Sequence, residues 1–249
     1  MRECSMSNRS DGFSSIRAVI LDYGQVLARR PTAEQFGRMA EMFNVSFDLF
    51  YELWETSRDP YDRGDLTAEE YWLKLASQTN TPIDPEQIEM LRKVEVEIWS
   101  HPSPGMLDWV SHLRAAGLKT GLLSNMPLDL VAHLRTNFPW MKNFSFKTFS
   151  AEVRLIKPDP AIFEHTLRGL GVSAAETLFV DDREANIRAS RALGIHAIQF
   201  RSIAQLKEDL DAMGFAVLPA AAKSSSALSG AASANRPGQD SKFSALPPR

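Results

Sequence analysis

The sequence predicts an α/β protein, a doubly wound parallel sheet with an all-helical insertion after its first strand. Three observations carry this. Short apolar runs recur along the chain at Ile16–Leu21, Thr120–Leu123, Phe146–Phe149, Thr177–Val180 and Ala197–Phe200. Amphipathic helical stripes lie between several of them, as the crossover helices of a parallel sheet require. Residues 30–102, by contrast, read as helices only.

Ile16–Leu21 (IRAVIL) is almost unbroken apolar sequence with β-branched residues, the pattern of a strand buried on both faces. The insertion that follows carries three helix-start signals. Thr32 with Gln35 and Thr67 with Glu70 have capping-box spacing, and Asp84-Pro85 is followed by Gln87. Phe36/Met39/Ala40/Phe43 and Ala68/Tyr71/Trp72/Leu75 fall on helical faces. Ile88, Leu91, Val94 and Ile98 continue that period, although Val94 to Ile98 also alternates like a strand. Beyond the insertion, Met106, Trp109, Val110 and Leu113 form a stripe stopped by Gly117. Ile162, Phe163, Thr166, Leu167 and Leu170 form another, closed by Gly171.

The expected organisation is a core of residues 15–29 and 103–217 with a helical cap of residues 30–102. Such an insertion sits over the strand ends, where α/β sheets place their ligands. Residues 1–14 are polar, and 218–249 are rich in Ala, Ser, Pro and Gly. Neither end buries enough apolar surface to offset ordering entropy, so both are expected to be disordered.

Composition narrows the function. With 249 residues, 44% hydrophobic and 24% charged, the chain has the balance of a soluble globular protein. A net charge of −3, with Arg29–Arg30 as the densest basic spot, leaves no face for nucleic acid. The single cysteine, Cys4, excludes an intramolecular disulfide, and the five histidines (His101, His112, His133, His165, His196) are too scattered for a zinc pattern. There is no apolar stretch of about 18 residues to cross a bilayer and no secretory signal core. A cytoplasmic protein without a membrane partner is therefore expected.

Four segments place polar groups just past predicted strands or at helix starts. Asp22 ends the first strand in Asp22-Tyr23-Gly24-Gln25, and a carboxylate there is costly unless paired or bound to a cation. Ser124-Asn125 leads into a helix start, where backbone N–H groups favour an anion. Lys157 opens Lys-Pro-Asp-Pro, a cation at a helix start that calls for a nearby anion. Asp181-Asp182 ends a strand as two adjacent acids whose repulsion a divalent cation would relieve. Each segment alone is ordinary turn or cap chemistry. Together they supply a nucleophile, anion binders, a charge-neutralising lysine and a hard-metal site, the inventory of phosphoryl transfer through an aspartyl-phosphate.

In order and sequence, these four segments resemble the haloacid dehalogenase superfamily, in its subgroup with a helical cap after the first motif, over roughly residues 16–216. The resemblance implies a Rossmann-like core and a Mg²⁺-dependent phosphatase acting on a small phosphorylated metabolite. Asp22 would be nucleophile and metal ligand, and Lys157 would offset charge on it. Ser124 and the Asn125 backbone N–H would hold phosphoryl oxygens. Asp182 would bind the metal directly, Asp181 directly or through water, and the Gly24 carbonyl would also reach it. Asn186 stands where many members carry a further acid.

One departure stands out. Family phosphatases usually carry a second Asp two residues after the nucleophile as acid and base, and here that residue is Gly24. Gln25, next in line, is expected to be a turn residue. Two alternatives stay open: a weakly active or non-catalytic regulatory protein, and a 2-haloacid dehalogenase. The family pattern says nothing of the oligomeric state.

Overall fold

The computed structural model describes residues 15–220. The disorder expected for residues 1–14 and for almost all of the tail, 221–249, falls outside them. Five strands form one parallel sheet: β1 (Ala18–Leu21), β2 (Lys119–Ser124), β3 (Phe146–Phe149), β4 (Thr177–Asp181) and β5 (His196–Gln199). Their order is β3-β2-β1-β4-β5, with every pairing parallel. The doubly wound class and all five predicted strands are present, with no end moved by more than two residues.

The central strand shows why. All four residues of β1 are fully buried. Its pleat sends Val19 and Leu21 to one face, where Met106, Trp109, Val110 and Leu113 of α6 (Pro104–Ala115) share the core. Ala18 and Ile20 meet the other face with Ile162 and Phe163 of α9 (Pro160–Leu170) and Ile187 of α10 (Glu184–Ala192). A strand covered on both faces has no solvent side, so its sequence is apolar throughout instead of alternating.

Between β1 and β2 the chain forms α1 (Ala33–Met42), α2 (Phe47–Thr56), α3 (Arg58–Asp62), α4 (Ala68–Thr79) and α5 (Pro85–Ile98) before α6. The capping boxes at Thr32/Gln35, Thr67/Glu70 and Asp84/Gln87 all form, each side chain accepting from the third backbone N–H. The ambiguous Val94–Ile98 stretch continues α5, because Leu91, Glu95 and Ile98 are buried on one helical face. The aromatic stripes make the block's own interior: Phe36, Phe43, Tyr71 and Trp72 are at most 1% exposed. The chain enters and leaves the block side by side. Arg29 N–H donates to the His101 carbonyl at 2.8 Å and Ser103 N–H to Leu27 at 2.7 Å.

The remaining core helices are α7 (Leu128–Asn137), α8 (Ser150–Val153) and α11 (Ile203–Ala212). Among the described residues no helix is long and apolar enough to cross a membrane.

The helical block touches the core closely at Gly64, just past α3. Its φ is +80°, and a Cβ there would sit 2.7 Å from the Ala151 carbonyl oxygen of α8. Only glycine meets both demands. Gly64→Ala is therefore expected to lose about 1–2 kcal/mol, read as a drop of roughly 2–8 °C in Tm by thermal unfolding. An unchanged Tm would show that this contact does not constrain the block.

Candidate active site

Parallel strands end on one side, and the three central ones carry the chemistry. Register pairs Leu21 with Leu122 and with Val180, so Asp22, Ser124 and Asp181 all emerge at that edge. β1 lies between β2 and β4, the point where the winding reverses and a crevice opens. After Asp22 the backbone turns through Gly24 (φ −62°, ψ 127°) and Gln25 (φ 59°, ψ −5°). These are type II turn angles, and the positive φ falls on a residue with a side chain. Gln25 does not line the cleft and serves as the turn residue expected of it.

Lys157 joins the segments. Its buried ammonium donates to Asp22 Oδ1 at 2.8 Å, Asp181 Oδ2 at 2.6 Å and the Leu123 carbonyl at 3.1 Å. Burial alone would push its pKa down, but Asp181 and Asp22 hold it above the usual lysine value. Burial pushes the Asp22 carboxyl up, against the opposing pull of Lys157. Asn125 fixes the lysine's backbone: its amide donates to the Lys157 carbonyl and accepts from the Lys157 N–H, both at 2.9 Å.

Asp181 is saturated from behind. Oδ1 accepts from Arg183 N–H at 2.8 Å and Asn186 Nδ2 at 2.9 Å, and Oδ2 accepts from Lys157 and from the same Asn186 amide at 3.0 Å. Asn186, at the position of the extra family acid, thus acts as a hydrogen-bond donor. Asp22, Asp181 and Asp182 each offer a carboxylate oxygen within 4.8 Å of the others. Three hard oxygen donors so close suit Mg²⁺ or Ca²⁺.

The floor of the cleft holds Asp22, Gly24, Ser124, Asn125, Lys157 and Asp182, with Asp181 buried behind them. The sequence-predicted residues therefore converge on one place. Its cavity of about 60 Å³ has room for one phosphoryl group, since a single water needs about 10–15 Å³.

The roof comes from the helical block: Trp54, Glu55, Arg58, Asp62 and Trp99. Sequence reasoning passed over most of these. Arg63, in the Tyr61–Asp65 loop, pairs with Asp65 at 2.6 Å, lies partly exposed and does not line the cleft. Arg29 and Arg30 are exposed and also lie outside it. The buried cation is Arg58, whose Nε donates to Asp62 Oδ1 at 2.9 Å and whose Nη1 bonds Glu95. Its guanidinium lies 4.7 Å from the Trp54 ring centroid and 5.1 Å from that of Tyr61. The only local signal was the i,i+4 spacing of Arg58 and Asp62.

This architecture and carboxylate-centred site define a hydrolase with an aspartate at the tip of the first strand. The profile of the haloacid dehalogenase-like hydrolases matches residues 10–194. Mouse acyl-CoA dehydrogenase family member 10 is 27% identical over 217 residues, 81% of this chain and 19% of that protein. The chain thus spans about a fifth of that relative's length. The sesquiterpene phosphatase astK of Aspergillus oryzae is 27% identical over 184 residues, 73% of this chain and 88% of that one. A haloacid dehalogenase-family enzyme from Bacteroides thetaiotaomicron, crystallised as an Asp-to-Ala mutant with magnesium and inorganic phosphate, superposes with a TM-score of 0.62. It is 21% identical, covering 75% of this chain and 94% of that one. The chain belongs to the haloacid dehalogenase-like hydrolases.

Removing the lysine tests the electrostatics. Lys157→Met leaves two buried carboxylates facing each other and should cost about 3–5 kcal/mol, measured by chemical denaturation in EDTA. A loss under about 1 kcal/mol, the range of exposed pairs, would mean that the ion pairs are not held as described.

Proposed function

We propose that this protein is a Mg²⁺-dependent phosphomonoester hydrolase that acts on a small phosphorylated metabolite through a phospho-aspartate at Asp22. The observation that carries this is Lys157 bridging Asp22 and Asp181, beside Asp182 and Ser124, in a phosphoryl-sized cavity.

The donor set fits the cation. Asp22, Asp182 and the Gly24 carbonyl would hold it. Asp181, whose oxygens already accept four hydrogen bonds, would act through water. When bound, Mg²⁺ offsets the negative charge of the phosphoryl group. The remaining steps belong to the chain. Ser124 and the Asn125 backbone N–H position the phosphoryl oxygens. Lys157 holds Asp22 ionised and oriented, so that its carboxylate attacks phosphorus and the ester oxygen leaves. Water then cleaves the acyl phosphate and restores Asp22.

Residues 30–102 act in this reading as a cap that closes the cleft from above. The site of action is cytoplasmic, and nucleic acid has no part in it. Dehalogenation fits less well, because displacing a halide leaves no phosphoryl charge for three clustered carboxylates and a cation to balance. The non-catalytic alternative rests on Gly24, beside which the Trp99 ring packs. Phosphate binding without turnover on any phosphate ester would favour it.

Asp22→Asn should abolish Mg²⁺-dependent release of p-nitrophenol from p-nitrophenyl phosphate with an unchanged circular dichroism spectrum. Equal rates in mutant and wild type would remove Asp22 as nucleophile. Mg²⁺ should also raise the Tm, a saturating ion adding about 2.7 kcal/mol at a hundred times its Kd. Asp182→Asn should lose most of that rise, and retention of the full shift would place the ion elsewhere.

A further inference from the structure

Hydrolysis of a phosphate ester needs a proton for the leaving oxygen and a base for the incoming water. The turn after Asp22 supplies neither. A Cβ at Gly24 would lie in ordinary van der Waals contact, 3.6 Å from the Trp99 ring and 3.8 Å from Asp22 Oδ2, so an acid could be introduced there. Two further acids line the same cleft, Glu55 and Asp62, and both come from the cap.

They are held differently. Glu55 sits at the rim, its side chain 25% exposed, in an ion pair with the half-exposed Arg183. Asp62 is 7% exposed and fixed at two points. Its carboxylate takes the Arg58 Nε bond, and its carbonyl accepts the Ser150 hydroxyl proton. Ser150 Oγ in turn accepts from Met126 N–H at 2.9 Å, two residues past Ser124. One hydroxyl thereby ties the cap acid to the loop that cradles phosphate, the fixed geometry that proton transfer demands.

Asp62 and Glu95 both bond the single guanidinium of Arg58 in a buried cluster. Two carboxylates thus share one cation, and the cluster carries one negative charge in excess. Burial works against the Arg58 charge, yet Asp62 and Glu95 hold its pKa well above the usual guanidinium value. Glu95 does not line the cleft; Asp62 does.

From this we infer that Asp62, delivered by the cap, is the acid and base of the reaction in place of the side chain absent at Gly24. The inference rests on the phosphatase reading above. As the bond from Asp22 oxygen to phosphorus forms and the ester P–O bond breaks, the Asp62 proton passes to the leaving oxygen and an alcohol departs. The Asp62 carboxylate then takes a proton from water as that water's oxygen attacks phosphorus. The bond to Asp22 breaks, inorganic phosphate leaves, and Asp62 is protonated again.

The test compares leaving groups in the full chain with Mg²⁺. For Asp62→Asn, kcat/KM on ethyl phosphate should fall about 10²–10⁴-fold, while on p-nitrophenyl phosphate, whose leaving group departs without a proton, it should fall less than about tenfold. Adding Gly24→Asp to Asp62→Asn should recover part of the ethyl phosphate activity, which a purely structural role for Asp62 does not predict. Equal losses on both esters with a melting curve like that of wild type would overturn the assignment. So would a leaving-group-selective loss in Glu55→Gln and not in Asp62→Asn. A wild-type protein that hydrolyses neither ester would instead defeat the phosphatase reading itself.

Discussion

The ammonium of Lys157 is the centre on which the site is built. It arrives from the segment before α9, yet it bonds groups at the ends of three neighbouring strands: the Leu123 carbonyl of β2, Asp22 after β1 and Asp181 of β4. Desolvating one cation and two carboxylates is expensive, and it is tolerable only because each charge finds its partners within hydrogen-bond reach. The surroundings are arranged to keep that geometry. Asn125 clamps the lysine backbone, and Asn186 with the Arg183 N–H occupies the back of Asp181. Asp22, the carboxylate that Lys157 presents at the cleft, is thereby fixed in position before any ligand arrives, the preorganisation that electrostatic catalysis depends on.

The parallel sheet follows from local signals, and so it was legible. Buried strands announce themselves as apolar runs, and the three capping boxes mark the starts of α1, α4 and α5 because their bonds span only three residues. The floor of the site was legible for a related reason. Each of its polar groups ends a strand or opens a helix, so the fold class alone brings them to one edge. The roof had no such signal. Trp54, Glu55, Arg58, Asp62 and Trp99 reach the cleft through the packing of one helix on another, and helix spacing reveals only which face is buried, not what that face covers. Within the loop Tyr61–Asp65, Arg63 turns outward to Asp65. Five residues earlier, Arg58 turns inward because an aromatic box and two carboxylates receive it.

The helical block is tied to the core by contacts of different kinds. The paired backbone at Leu27–Arg29 and His101–Ser103 acts as a neck. Gly64 packs directly on the Ala151 carbonyl, and Ser150 holds the Asp62 carbonyl to the Met126 amide. Glu55 pairs with Arg183 at the rim of the cleft, and Arg92 pairs with Asp129 at 2.7 Å away from it. The first group buries backbone, where loss of a partner is costly; these two ion pairs are partly exposed and contribute less each. Lifting α3 from the core would therefore cost more than breaking these two pairs, because the Ser150 and Gly64 contacts must also part.

Placing the acid and base on the cap changes what closure does. When that group stands two residues from the nucleophile, the core is chemically complete and the cap only selects substrate and excludes water. With Asp62 in the role, the core alone can bind a phosphoryl group and present Asp22, but proton transfer waits until α3 docks beside Ser150. Closure and chemistry then become one event, so an ester that fits beneath Trp54 and Trp99 is committed and one that holds the cap open is not. Hydrolysis of the acyl phosphate is subject to the same condition, because the base that activates water leaves with the cap. A glycine at position 24 is in this sense consistent with a working enzyme, because the proton chemistry moves to the surface that closes over it.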